Sequence, residues 1–241
     1  MKSIVIKILI IFIILFENVA YSKEPICGIA IGFPPYQFQS DGKVAGFDAD
    51  VIRLIFDGLN EKFIFEQDEW DDVFNKLRFG EVDLVTGMEI NELRKKFFDF
   101  TTDYYHRDDA VFVRKDDKEI KVMEDLYAKV ISGDRHSFVE IYLKEKGIRE
   151  KIRIRQTDSK EQSMRLLYER KIRAAIMPKA VGLYLAKQMG FEVRILENPD
   201  PGSPVAIAVK KGNRELLTKI DAMLRKLIEE GEIERLYNRW F

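Results

Sequence analysis

A pattern of alternating strand and helix signals, run through twice, restricts the fold of this chain more than any other feature. "ICGIAIG" and "KFIFEQ" are apolar runs of strand length, and "DADVIRLIFDGLN" between them carries a helical pattern, opened by Asp48 or Asp50 and closed near Gly58. In "WDDVFNKLRFG" the apolar residues Trp70, Val73, Phe74 and Leu77 recur at helical spacing, and "VDLVTG" follows as a buried strand. A βαβαβ run of this kind predicts a parallel sheet with helices on both faces.

After Tyr105 the strand "AVFVRKD" ends in charge and the pattern restarts. It runs through "AKVIS", "SFVEIYLKEKG", "IRIRQT", "SKEQSMRLLYERK", "RAAIM" and "AVGLYLAKQMG". "PVAIAVKKGN" adds a strand, and "RELLTKIDAMLRKLIEEGEIERLYNRWF" closes with one or two amphipathic helices. No repeat, low-complexity tract or Gly/Ser linker separates the halves. The expected fold is α/β with two lobes, each a mostly parallel sheet flanked by helices, joined by two hinge strands with a ligand cleft between them. The first lobe is expected over residues 23–112 and 206–241, the second over 113–205.

The first 22 residues stand apart. Lys2 and Lys7 border an apolar run from Ile4 to Phe16 that is short for a membrane span, and Ala20 and Ser22 offer small residues at the −3 and −1 positions of a cleavage site. Residues 1–22 read as a cleaved signal peptide, so the remainder is expected to be exported. Cys27 is the sole cysteine, so no internal disulfide can form, and its place in an apolar run suits a small buried hydrophobe. The formal net charge of −1, with acids and bases interspersed, argues against nucleic acid as a partner. The locally basic run Lys144 to Arg155 reads as a solvated helix face and the strand after it.

Catalytic and metal chemistry find little support. His106 and His136 have no second soft ligand at metal spacing, so no metal is expected. Ser132, Asp134 and His136 lie too close along the chain to form a nucleophile, base and orienter. No phosphate-binding or dinucleotide glycine pattern occurs, and no cofactor is expected. What remains are strand ends carrying polar and aromatic groups. In "GFPPYQF" two prolines fix an extended loop between Phe33 and Tyr36, either of which can face a ligand or cover the lobe's own core. Trp70 opens a helix directly after a strand. Arg94 follows Gly87 closely, and a guanidinium fork matches a carboxylate; its alternative is an ion pair with Glu92 or Asp99. Ser137 and Glu140 form a capping box that places a helix N-terminus, an anion-attracting group, right after "AKVIS".

Together "GFPPYQF", "GKVAGFDADV", "EWDDVFNKLRFGEVDLVTGMEINELR", "FDFTTDYY" and the ending "PVAIAVKKGN…LIEEGEIERLYNRWF" resemble the periplasmic amino-acid-binding proteins of ABC importers, the polar-amino-acid family of extracellular solute-binding proteins. The resemblance spans nearly the whole mature chain and implies the type II periplasmic-binding-protein fold. It also implies roles. Arg94 matches the arginine that clamps the ligand α-carboxylate, and Phe33 and Trp70 match the positions that sandwich its side chain. Thr86 and Gly87, with Met88 beside them, match the strand end whose backbone holds the α-amino group. Glu89 matches a position usually small or hydroxylic, and Ser137 the second-lobe residue that completes the carboxylate site.

Three departures from the family pattern stand out. The second-lobe turn is Arg135-His136-Ser137, bulkier and more basic than the family's, and the segment from Asp83 to Arg94 is one residue short. Pro178 occupies the place of the aspartate that pairs with the α-ammonium. A buried ammonium without an acceptor is costly, so either Glu89 supplies the charge or the ligand is an anion gripped by Arg94 and Arg135. The resemblance implies a monomeric, non-enzymatic protein that resides in the periplasm and hands a small carboxylate-bearing solute to a membrane permease. Two alternatives stay open: a sensory ligand-binding module, and a cyclohexadienyl dehydratase-like enzyme with Glu89 or His136 as its acid.

Overall fold

The structure, a computed structural model, describes residues 23–133, 143–144, 147–196 and 201–241. The leader at 1–22 and the expected helix cap at Ser137 and Glu140 lie outside the described residues, as do Arg135 and His136.

Two mixed sheets organise the chain. The first has the order β4-β1-β5-β13-β6, with β7 also paired to β13. Here β1 is Ile26–Ala30, β4 Ile64–Asp68, β5 Leu84–Glu89, β6 Phe98–Phe100, β7 Tyr105–Arg107 and β13 Ser203–Lys210. β4, β1 and β5 are parallel, whereas β13 returns antiparallel to β5 with Val205 opposite Glu89. A short hairpin of β2 (Phe38–Ser40) and β3 (Lys43–Ala45) branches off after β1. The second sheet has the order β10-β9-β11-β8-β12, built from β8 (Asp109–Arg114), β9 (Val130–Ser132), β10 (Arg153–Arg155), β11 (Ala174–Pro178) and β12 (Val193–Ile195). In both sheets three parallel strands are followed by antiparallel neighbours, so each sheet with its helices makes one lobe. The chain changes sheets at Asp108, between β7 and β8, rather than at 112/113. The return strand begins at Ser203, three residues before the expected boundary, because the apolar run Val205 to Val209 is only its buried middle.

Hydrophobic periodicity explains the helices. In α1 (Phe47–Leu59) the residues Phe47, Val51, Ile52, Ile55 and Phe56 form a fully buried stripe. It packs against α5 (Arg214–Glu229) and α6 (Glu232–Trp240), while α2 (Trp70–Phe79) covers the other face of the sheet with Val73 and Leu77. The ends of α1 differ from expectation. Gly46 precedes the first turn, Asp48 turns inward and is fully buried, and the helix runs through Gly58 to Asn60, whose left-handed backbone (φ 53°) ends it. In the second lobe α3 (Lys160–Tyr168) and α4 (Lys179–Gln188) pack on the same face of β11 and β8. Ser159 caps α3 by accepting a hydrogen bond from the Gln162 N–H at 3.1 Å. Cys27 is fully buried in the middle of the first lobe.

Candidate functional site

In open α/β sheets, ligands collect in the crevice beyond the carboxyl ends of parallel strands. Here the ends of β1 and β4 in the first lobe face the loop between β10 and α3 in the second, across a cleft of about 670 Å³. Ile31, Gly32, Phe33 and Trp70 line one wall; Gly133, Thr157, Ser159 and Lys160 line the other. Two hollows of similar size, about 530 Å³ behind β7 and about 790 Å³ on the outer side of the second lobe, each draw on one lobe alone. Among the described residues, no group of three His, Cys, Asp or Glu is placed to hold a metal ion.

The loop "GFPPYQF" divides its aromatics. Reciprocal backbone bonds, Phe33 N–H to the Gln37 carbonyl at 2.8 Å and Gln37 N–H to the Phe33 carbonyl at 2.9 Å, close it into a tight turn. Tyr36 points into the core, 3% exposed, and stacks on Tyr105 with ring centroids 5.0 Å apart. Phe33 is left half-buried on the cleft wall, with Lys160 Nζ 5.0 Å from its ring centroid. Trp70, at the first turn of α2, lies under the guanidinium of Arg94, whose Cζ is 5.3 Å from the ring centroid.

Arg94 does not pair with Glu92 or Asp99. Its Nη1 donates to the Glu89 carbonyl at 2.9 Å and to Glu89 Oε2 at 3.4 Å. Both bonds use Nη1, so Nη2 and Nε have no hydrogen-bonded partner among the described residues. Arg107, on β7, donates from Nε to Glu89 Oε1 at 3.1 Å and from Nη2 to the Gly87 carbonyl at 3.3 Å. Burial raises the Glu89 carboxyl, but the Arg107 and Arg94 guanidinium groups outweigh it and hold the group below its ordinary range. Glu89 is therefore drawn between two arginines of its own lobe rather than extended toward the second.

Behind this wall lies a buried polar network. Gln37 Oε1 accepts from the Ala30 N–H at 2.8 Å, while its Nε2 donates to Asp48 Oδ2 at 2.6 Å and to the Thr86 carbonyl at 3.2 Å. Tyr104 donates its hydroxyl proton to Asp48 Oδ1 at 2.6 Å and accepts from the Gly87 N–H at 3.2 Å. Tyr105 donates to Asp48 Oδ2 at 3.3 Å. Burial pushes the Asp48 carboxyl up to about 6, against the lowering effect of these donors. The Thr86 carbonyl and the Gly87 N–H and carbonyl, expected to face a ligand amine, are thus engaged within the lobe. The Met88 side chain is fully buried with Val73, Leu77 and Phe98, because the strand alternation that exposes Glu89 turns its neighbour into the core.

Pro178 ends β11 opposite Asp109 in the antiparallel register and precedes the first turn of α4. The nearest second-lobe carboxylate in that register is therefore contributed by β8. Residues 135–137 lie outside the described residues. Sequence reading passed over Arg107, Lys160, and the pair of Gln37 and Asp48. Lys160 carried a readable signal: it directly follows the Ser159 cap, where a cation opposes the helix dipole. Asp48 is expected only as one of two residues that open the helix, because the helical pattern alone does not reveal what covers its first turn.

Two sheeted lobes with a ligand-sized cleft between them define a solute-binding architecture of the type II periplasmic class, and the comparisons agree. Residues 26–241 match the model of the bacterial extracellular solute-binding proteins, family 3, and the chain belongs to that family. A probable amino-acid ABC transporter-binding protein of Haemophilus influenzae is 25% identical over 228 residues, covering 93% of this chain and 87% of the relative. The L-cystine-binding protein TcyJ of Escherichia coli K12 is 24% identical, covering 89% of this chain and 81% of its own. Among solved structures, an ancestral arginine-binding protein bound to glutamine superposes with a TM-score of 0.81 at 32% identity, covering 90% of this chain and 97% of that one.

Proposed function

We propose that the chain is a periplasmic amino-acid-binding protein that captures its ligand in the interlobe cleft and delivers it to the permease of an ABC transporter. The observation that carries the reading is Arg94, held by Nη1 alone beside the ring of Trp70, with the rest of its fork directed to no internal partner among the described residues. A guanidinium so placed suits a ligand carboxylate. Phe33 and Trp70, which line the cleft, are suited to flank the rest of the ligand, and Glu89 of the first lobe and Asp109 of the second are the carboxylates this reading offers to its ammonium. The names of the relatives, which include amino-acid and cystine binders, support an amino acid as the ligand class. Residues 1–22 then act as the export signal, the mature protein is a monomer, and closure of the lobes around the ligand takes the place of any chemical step.

Calorimetric titration of the mature protein with the standard amino acids tests the reading. At least one should bind, and Arg94→Ala should weaken it by ten- to a hundredfold or more, since a charge-assisted fork contributes about 1.5–3 kcal/mol. Affinity unchanged by Arg94→Ala would remove the carboxylate clamp from the proposal, and binding of no amino acid would remove the ligand class.

A further inference from the structure

We propose that the ligand's side chain is anionic, an acidic amino acid of the glutamate and aspartate class, and that Lys160 selects it. The inference rests on the amino-acid reading above and goes beyond it, because the names of the relatives do not agree on a side chain.

Among the described residues, Lys160 is the second lobe's deepest charge in the cleft. It is only 8% exposed, and its ammonium reaches the first lobe's Phe33. Two local costs attend it. It sits in the first turn of α3, where the helix dipole disfavours a cation, and it is withdrawn from water. Residues that break local rules in this way concentrate at functional sites. Burial lowers the Lys160 ammonium to about 8, with Asp109 opposing the shift, so the group remains cationic at neutral pH.

The charge balance of the inner cleft points the same way. Among the described residues Arg94, Arg107 and Lys160 stand against Glu89 and Asp109, and Glu89 is already shared by the two arginines. The Asp48 carboxylate, buried behind Arg107, offsets part of that arginine's charge, which leaves Lys160 and Arg94 as the cations that meet the ligand. With the α-carboxylate on Arg94, the side chain meets Lys160: an anionic side chain is attracted to that ammonium and a cationic one is repelled by it. The further acids at the cleft, Glu69, Asp71 and Asp158, are exposed, where water and salt screen them. The aromatic faces also speak against a cationic side chain. Such a group would stack on Phe33 or Trp70, but Lys160 lies over the first ring and Arg94 over the second.

The test is calorimetry on the mature protein with L-glutamate, L-aspartate, L-glutamine and L-arginine. An acidic amino acid should bind at least tenfold more tightly than L-glutamine or L-arginine. Lys160→Gln should erase that preference, and Lys160→Arg, which keeps the charge, should retain it; melting of the ligand-free variants checks that both fold. Tightest binding of a neutral or cationic amino acid overturns the inference and leaves the amino-acid reading standing. So does affinity for the acidic ligand within twofold of wild type in Lys160→Gln. If no amino acid binds, the underlying reading fails and takes the inference with it.

Discussion

Replacing Gly87 with alanine isolates what holds the first lobe's side of the cleft in place. Gly87 has a left-handed backbone, φ 70°, at the end of β5, and a methyl group there would fall inside the van der Waals envelopes of Gln37 Nε2 and Asp48 Oδ2. Three costs follow. The left-handed conformation costs an alanine about 1–2 kcal/mol. Forcing a methyl into a filled interior costs about 1–3 kcal/mol. Separating Gln37 from Asp48, bonded at 2.6 Å, costs about 1.5–3 kcal/mol more, since the acceptor is a carboxylate. The last two share one displacement and do not add in full, so the expected loss is about 3–5 kcal/mol, a large share of the 5–15 kcal/mol typical of a domain. Gly32 is the internal control. Its backbone is also left-handed, φ 81°, but nothing lies within 4 Å of its added methyl, so Gly32→Ala should cost only the conformational ~1–2 kcal/mol. Urea unfolding of the three proteins, analysed with a common m-value, reads both numbers. Equal losses for the two variants would show that the Gln37–Asp48 packing contributes nothing and would refute the argument.

Two further predictions concern buried groups of the same lobe. The Asp48 carboxyl is raised by burial from 3.8 to about 6 in the folded state, so its contribution to stability is full below pH ~4 and is lost as the pH rises through ~6, because the unfolded chain ionises first. At 1.36 kcal/mol per unit this comes to roughly 3 kcal/mol. The stability of wild type relative to Asp48→Asn should therefore fall by that order between pH 4 and pH 7 in urea titrations, and a constant difference would contradict the burial argument. Cys27 is fully buried and its thiol is pushed far above the usual range, chiefly by burial, so iodoacetamide should label it only after unfolding. Native labelling as fast as that of the denatured chain would mean that β1 opens readily.

The elements of the fold were legible wherever one local pattern decided them. The stripe Phe47, Val51, Ile52, Ile55 and Phe56 and the run Val205 to Val209 announce themselves by periodicity and length. The short strands Phe98–Phe100, Tyr105–Arg107 and Val193–Ile195 do not, because three residues are too few for a period and their pairing partners are distant in sequence. The same limit applied to the site. Phe33 and Trp70 line the cleft wall, a place that local reasoning left open against core packing and that only the family resemblance implied. Arg107 was invisible because its partners, Glu89 and the Gly87 carbonyl, come from another strand of the sheet. Pro178 drew attention as a missing charge, but only the register of β11 with β8 shows that Asp109 lies opposite it.

These distant contacts give the two sides of the cleft different characters. The first-lobe wall is ordered from behind: Gln37 ties the turn after β1 to Thr86 and to Asp48, and Tyr104 ties Asp48 to Gly87. Glu89 holds Arg94 and Arg107 at set distances in front of that network. Groups already fixed lose little freedom when a ligand arrives, so their contacts count more fully toward affinity. Two of the network's tyrosines, Tyr104 and Tyr105, stand within four residues of Asp108, where the chain leaves this lobe. The buried carboxylate that orders the wall therefore also anchors the start of the crossing to the second lobe. On the proposed reading, discrimination falls to the other side, to Lys160 at the first turn of α3 and Asp109 on β8, and changing those residues should alter which ligand is held without loosening the frame that presents Arg94.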